Sequence, residues 1–458
     1  MNRKDIFFYA RALLDRPDGD AFTRLMRSAP PADIADVLCD SSPQRLAAVL
    51  TPAPAKDQAR LFVELPDAQQ DAVLAAMPET AVVSLVSALP SDERADLYNR
   101  LSPERQRRLL RSLAQAERDD ILRLACYPEG TAGAAATSQY ATVAAGMTVA
   151  EALRTIRTTA PDKETIYAVY VLDDAGRLRG SVSLRDLVLA ADNASVDELI
   201  HRGPVTVRAD DPDEKVVESV RRYDLLAVPV INRDHRMIGI VTVDDAMDID
   251  HEQDAAQLAR YGGTSAPGGP DLDLCASPLR RIFGVRVFWL AILTVFGLVT
   301  STFVAAQEEM LEEVIILAAF IAPIVDMGGN TGSQTATLVL RSMALGQLRV
   351  RWRDIWLVVR REIGVALGLG VVIAVLEVVL AYFAKGGLSI GVLTTVGLSM
   401  FTCTVLGALI GSLLPFVARR IGTDPATLSA PLITSVMDLI GVFVYFGFAY
   451  MFLGHLLA

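Results

Sequence analysis

The sequence predicts a multidomain membrane protein: an all-α superhelical amino-terminal domain, an α/β tandem pair, a connecting helix and a transmembrane domain of five α-helices. Three observations carry this expectation. Charge is divided unevenly along the 458 residues, long apolar stretches are confined to the carboxyl-terminal part, and two different internal repeats occupy the rest. Residues 279–458 hold 12 Lys and Arg against 10 Asp and Glu, whereas residues 1–278 hold 31 against 44, a net of −13. An acidic soluble part argues against nucleic acid as a partner and is compatible with divalent cations. Cys39, Cys126, Cys275 and Cys403 are scattered without a CxxC pair, which suits a reducing cytoplasm and offers no thiolate metal site. The opening Met1-Asn-Arg-Lys-Asp5 lacks the apolar core of a signal peptide.

Residues 1–130 are expected to form the superhelix. A 12-residue repeat runs from about 61 to 124: Leu65, Met77, Leu89, Leu101 and Leu113 form one series, and Leu61, Val73, Leu85, Leu97, Leu109 and Ile121 a second. A third contains Phe62, Leu74, Val86, Tyr98, Leu110 and Leu122. Pro66, Pro78, Pro90 and Pro103 restart the pattern, as proline does in the first turn of a helix. Short helices wound about a shared apolar axis follow, a scaffold or partner surface rather than a catalytic cleft.

Residues 131–246 alternate strand and helix twice. Helix Val149–Arg157, strand Ile166–Leu172 and Gly180-Ser-Val-Ser-Leu-Arg-Asp186 are echoed by Glu214–Tyr223, Ala227–Ile231 and Gly239-Ile-Val-Thr-Val-Asp-Asp245. The paired Gly-x-x-(Ser/Thr)-x-x-Asp endings resemble tandem CBS modules. That resemblance implies that Ser183, Asp186, Thr242 and Asp245 hold the ribose of an adenine nucleotide such as ATP. A Ser or Thr in this place also caps a helix with no ligand present.

Residues 247–278 form the connection. Asp244, Asp245, Asp248, Asp250, Glu252 and Asp254 crowd a helix ending near Tyr261-Gly-Gly, and a Gly/Pro/Ser linker, Gly262–Pro270, follows. Asp245 and Asp248 share a face, as do Asp92 and Asp96 in the superhelix. Like charges so placed repel unless a cation or basic partner joins them, so each pair is either a solvated face or a divalent site.

Residues 279–458 contain apolar stretches at roughly 283–305, 314–345 (broken), 361–384, 388–417 and 427–456, each beyond the roughly 20 residues a spanning helix needs. Arginines crowd the start of the first stretch and the connections after the second and fourth; only Lys385 falls on the other side. The positive-inside rule then puts the amino-terminal part in the cytosol and the carboxyl terminus outside. Within the second stretch, Asp326-Met-Gly-Gly-Asn-Thr-Gly-Ser-Gln-Thr-Ala-Thr337 needs a wet, protein-lined cavity, because hydrocarbon satisfies neither Asn330 nor Gln334. With Asp438, an acid deep in the fifth stretch, it argues for a cation pathway.

The whole order resembles the MgtE family of bacterial magnesium channels. Gly328-Gly-Asn-Thr-Gly-Ser-Gln334 with Thr337 and Arg341, Asp424-Pro-Ala through Pro431 to Asp438, and Tyr127-Pro-Glu-Gly-Thr-Ala-Gly133 carry the likeness. It implies a homodimer in the inner membrane whose pore lies on the two-fold axis, lined by Asp438, Gly329, Asn330, Ser333, Thr337 and Thr434. It implies regulatory magnesium at Asp92, Asp96, Glu214, Asp224, Asp245 and Asp248. Glycines would leave room for a hydrated Mg²⁺, which sheds water reluctantly. The alternatives are a carrier or exchanger for Mn²⁺ or Co²⁺, and a non-conducting nucleotide or metal sensor. Dispersed histidines, no phosphate-cradling loop and no nucleophile–base pair argue against an enzyme.

Overall fold

A computed structural model describes residues 2–262, 264, 272, 277–422 and 430–456. Most of the expected Gly262–Pro270 linker, Cys275 and the Asp424-Pro-Ala motif lie outside the described residues. Two compact units emerge, Met1–Glu252 and Gln253–Ala458.

The first unit opens with ten short helices: α1 (Arg3–Asp15), α2 (Gly19–Ser28), α3 (Pro31–Leu38), α4 (Pro43–Leu50), α5 (Ala55–Phe62), α6 (Asp67–Ala76), α7 (Glu79–Ala88), α8 (Ser91–Arg100), α9 (Pro103–Ser112) and α10 (Gln115–Leu124). The second repeat series is the axis of the superhelix, with Leu61, Val73, Leu85, Leu97, Leu109 and Ile121 all buried. Each such side chain contributes about 1.5–3 kcal/mol of burial free energy. The third series starts inside with Phe62 and drifts out to an exposed Leu122. Ile6, Phe22, Ile34, Leu38, Leu46 and Leu50 join the same core, so the winding begins well before the sequence repeat becomes legible. Pro66, Pro78 and Pro90 are N-caps with extended backbone, one position before the first helical turn, and Pro103 alone of the four opens its helix. Proline's fixed φ there redirects the chain between successive helices.

Two α/β lobes follow. The first has β1 (Tyr140–Ala144), α11 (Val149–Thr159), β2 (Thr165–Leu172), β3 (Leu178–Ser183), α12 (Leu184–Leu189), α13 (Val196–Leu199) and β4 (His201–Arg202), with sheet order β1-β2-β3-β4. The second has β5 (Val207–Arg208), α14 (Glu214–Tyr223), β6 (Ala227–Ile231) and β7 (Met237–Thr242), with order β5-β6-β7. In each, the first pair is parallel and the second antiparallel, the same unit built twice. Thr137, preceding β1, bridges to Ile240 of β7, so the chain enters through the second lobe. Tyr170 of β2 packs with Ala227, Met237 and Ile240, joining the lobes. Ala95 and Leu124 of the superhelix share a core with Val207, Val228 and Val241, and Ser91 Oγ lies 3.0 Å from Thr137 Oγ1. The superhelix therefore rests on the second lobe. Helix α15 (Val243–Tyr261) leaves β7 without a loop.

The second unit contains α16 (Leu279–Ala305), α17 (Glu308–Glu313), α18 (Ala318–Ala344), α19 (Trp352–Lys385), α20 (Ile390–Arg420) and α21 (Ala430–Leu453). Five of its segments are long and apolar enough to cross a membrane. In the second stretch, expected to be broken, a 3-10 turn over Ile315–Leu317 leads into one helix that passes through Gly328, Gly329 and Gly332. The third helix begins nine residues before the expected span, carrying Arg353, Arg360 and Arg361 on its first turns.

Candidate functional site

Glycine costs a helix interior about 1 kcal/mol relative to alanine, so three within five residues of α18 require compensation. Close packing supplies it. A Cβ on Gly407 of α20 would stand 2.2 Å from the carbonyl oxygen of Gly328, and one on Gly411 would stand 2.1 Å from that of Gly332. Paired small residues four apart let two helices touch backbone to backbone. Gly329 is buried against Thr434 of α21, where a Cβ would meet the Thr434 Cα at 3.2 Å. The glycine run therefore makes contact between helices within the chain, where the sequence suggested room for water.

The opposite side of α18 is polar. Asp326, Asn330, Gln334, Thr337 and Arg341 are all exposed, with Ser333 half-buried between them. At 100° per residue these six fall on one stripe, facing away from buried Phe320, Ile324, Gly328, Thr331 and Thr335. Asn330 Nδ2 donates to Asp326 Oδ2 at 2.9 Å and the Thr337 hydroxyl to the Ser333 carbonyl at 2.7 Å, while Ser333 Oγ is buried without a partner. Asp438 lies half-buried on α21. The helices α18 and α21 touch at Gly329–Thr434 and again at Val325–Gly441, which brackets Asp326 and Asp438 at one level of the bundle. The charged neighbour of Asp438 is thus another acid, Asp326.

Two contacts escaped the sequence reading. Thr335 Oγ1, on the buried side of α18, donates to Glu362 Oε2 of α19 at 3.2 Å. Tyr261, the last residue of α15, places its hydroxyl 2.6 Å from Thr337 Oγ1 and donates to the Ser333 carbonyl at 3.1 Å. Nothing in sequence spacing joins residues so far apart.

In the first unit, α8 brings Asp92, Glu93 and Asp96 against α15. Asp92 is held well above the usual carboxylate range by burial and then by Asp245, and its Oδ1 has no hydrogen-bond partner. Glu93 is raised to about 7 by burial, Asp96 and Asp245. Asp96 keeps an exposed edge; crowding by protein lifts it to about 6, although Arg100 opposes the rise. Burial also raises Asp245, against the Thr242 hydroxyl that donates to it at 2.5 Å. Asp248 adds its charge to Glu64 and Glu252, and Asp92 also feels Glu164. Asp92, Asp96, Asp245 and Asp248 thus act on one shared neighbourhood with Glu93 and Glu252 of the same two helices, and Glu64 and Glu164, which the helix-pair argument missed, come from separate elements. Glu214 and Asp224 stand at the two ends of α14, and Asp224 is a left-handed C-cap. Among the described residues no three acids, histidines or cysteines close into a metal-ligand set. In the lobes, Ser183 Oγ caps α12 by accepting from Asp186 N at 3.0 Å, and Asp186 faces His201 Nε2 at 3.4 Å.

A bundle of spanning helices with a polar stripe, joined to an acidic soluble unit with two nucleotide-module-like lobes, defines a membrane transporter for cations. Family comparison agrees: residues 321–448 match a family described as a divalent cation transporter, residues 29–130 the MgtE intracellular N domain, and residues 132–193 and 196–252 the CBS domain. The magnesium transporter MgtE of Thermus thermophilus is 38% identical over 72% of this chain and 72% of its own length. That of Enterococcus faecalis is 31% identical over 74% of this chain and 72% of its own. A crystal structure of the cytosolic domain of the Mg²⁺ channel MgtE in complex with ATP superposes with a TM-score of 0.50 at 33% identity, covering 53% of this chain and 99% of that one. The chain belongs to the MgtE family of magnesium transporters, and is a multi-pass membrane protein rather than an enzyme.

Proposed function

We propose that the protein is a homodimeric channel that passes hydrated Mg²⁺ into the cytosol along the dimer axis, and that the acids of the superhelix and CBS lobes shut it when they bind Mg²⁺. The observation that carries this reading is the exposed polar stripe of α18 at the level of Asp438. Lipid cannot satisfy Asp326, Asn330 and Gln334, and one chain leaves them uncovered; a second copy presenting the same stripe would enclose a wet path. Asp438 from each protomer then faces a hydrated ion, with Asn330, Ser333, Thr337 and Thr434 supplying oxygens to its water. Magnesium's reluctance to dehydrate suits such a path.

Regulation follows from repulsion. With Asp92, Glu93, Asp96, Asp245 and Asp248 ionised together, the contact between α8 and α15 is strained, and a divalent cation relieves it. A ligand that binds one arrangement better shifts the equilibrium towards it. Arginine placement supports a cytosolic amino terminus and an external carboxyl terminus. The relative crystallised with ATP supports a nucleotide role for Ser183, Asp186, Thr242 and Asp245. The test is Mg²⁺ flux into liposomes containing the purified protein, with the cytosolic-side Mg²⁺ varied, with and without ATP. Asp438→Asn should abolish flux, and Asp245→Ala/Asp248→Ala should raise the Mg²⁺ concentration needed for inhibition. Wild-type flux in Asp438→Asn defeats the pathway; an unchanged inhibition curve in the double variant defeats the sensor. Equal flux of Mn²⁺ or Co²⁺, or dependence on a coupling ion, would favour the carrier alternative.

A further inference from the structure

The acids on α8 have a basic neighbour on their own helix. Arg100, the last residue of α8, stands one turn beyond Asp96 and shares its face. We propose that Arg100 is a fixed counter-charge that sets the Mg²⁺ concentration at which the cytosolic acids respond, keeping their hold on the ion weaker than their number implies. This role rests on the reading that the acids of α8 and α15 bind regulatory Mg²⁺, and adds to it the residue that tunes them.

The surroundings of the guanidinium favour this role. Arg100 donates through Nη1 to Asp67 Oδ1 and through Nη2 to Gln70 Oε1, both on α6. Its Nε stands 3.6 Å from Asp71 Oδ1 of the same helix, and both atoms are buried without a hydrogen-bond partner. All three nitrogens therefore face α6, and none of the described ion pairs joins Arg100 to Glu93 or Asp96. Only 25% of the side chain is exposed, so water and salt screen this charge less than they would a surface arginine. Its field reaches the α8 acids all the same: burial holds Glu93 and Asp96 above the usual carboxylate range, and Arg100 opposes the rise in both. A fixed positive charge acts twice against a divalent cation. It relieves repulsion among the carboxylates before the ion arrives, and it repels the ion afterwards. An arginine free to swing would leave as the ion entered; one held by α6 stays.

Arg100→Gln and Asp67→Asn break the same ion pair but change the charge in opposite senses, which separates a tuning charge from a structural tie. Val73 of α6 and Leu97 of α8 stay buried in the shared core of the superhelix, so both variants should fold. The experiment is Mg²⁺ flux through full-length protein in liposomes, read as the cytosolic-side Mg²⁺ concentration that halves the flux, with Asp245→Ala/Asp248→Ala as reference. A unit charge about 8 Å from a divalent cation in water-like surroundings changes its binding about fivefold, so Arg100→Gln should lower the half-inhibiting concentration by about that factor. Asp67→Asn, at a more exposed carboxylate, should raise it about twofold. Arg100→Lys keeps the charge without the planar fork and should stay within about twofold of wild type. If Arg100→Gln is unchanged, or moves upward with Asp67→Asn, while the reference variant shifts upward, the counter-charge is overturned and the sensor stands. Arg100→Lys matching Arg100→Gln overturns it too, because bond geometry rather than charge would then set the threshold. Should Arg100→Gln fail to fold, Asp67→Asn carries the test, and a threshold at or below wild type overturns the proposal. An unchanged inhibition curve in the reference variant removes the sensor, and the counter-charge with it.

Discussion

Replacing Gly411 by alanine offers a direct measure of how closely α18 and α20 must approach. The added Cβ would lie 2.1 Å from the Gly332 carbonyl oxygen, 2.8 Å from its carbon and 2.9 Å from its Cα. Ordinary carbon–oxygen contacts stand at about 3.3 Å or more, so the helices must part by about 1 Å. A gap of that size forfeits up to about half of the dispersion energy of each affected contact, and overpacking of this kind costs about 1–3 kcal/mol. Both partners are backbone, so no side chain can swing aside. For a unit of this size, about 2 kcal/mol lowers the melting temperature by about 4–8 °C. The control is Gly368→Ala on α19, where an added Cβ meets nothing within 4 Å and helix propensity improves by up to about 1 kcal/mol. Both variants would be melted in the same detergent by fluorescence-detected size exclusion. If Gly411→Ala melts together with Gly368→Ala, the backbone contact is not where the structure puts it.

The acid cluster makes stability depend on pH in a definite direction. Glu93, at about 7, and Asp96, at about 6, hold protons in the folded protein that the unfolded chain releases at ordinary carboxylate values. The folded state binds more protons between about pH 4.5 and 7, so stability falls as pH rises through that window. Asp186, Asp210 and Asp211, whose values are lowered, act only in more acid solution. The full-length protein in detergent with chelator should melt lower at pH 8 than at pH 6, and added Mg²⁺ should recover the loss; a higher melting point at pH 8 in chelator would show that these acids are not crowded. In the membrane unit, Tyr445 donates from a fully buried hydroxyl to the Leu317 carbonyl at 2.8 Å, where the 3-10 turn enters α18. Tyr445→Phe removes that hydrogen bond while the Leu317 carbonyl keeps its place as the N-cap acceptor of α18, and should cost about 0.5–1.5 kcal/mol; a thermal shift indistinguishable from wild type would refute it.

The sequence by itself determined whatever depends on local period and local composition. Twelve-residue spacing named the axis of the superhelix, Leu61 through Ile121, because each repeat buries the same position against its neighbours. The doubled Gly-x-x-(Ser/Thr)-x-x-Asp endings named the paired lobes, and apolar length named five spanning helices. Polar residues inside one of those spans called for a wet, protein-lined cavity, but which of them share a face was decided by the fold: Asn330, Gln334 and Thr337 are exposed, whereas Thr335 is buried against Glu362. What the sequence left undecided is whatever depends on which surfaces meet. The glycines read as room for an ion's water, and only the fold shows a continuous helix in which Gly328 and Gly332 instead meet Gly407 and Gly411. Glu64 and Glu164 join the cytosolic acids from elements whose convergence no spacing encodes. Tyr261 read as the end of a helix, and tertiary contact alone brings its hydroxyl to Thr337. Periodicity records which face of an element is buried; the partner on that face is chosen by packing across the chain, and packing leaves no local trace.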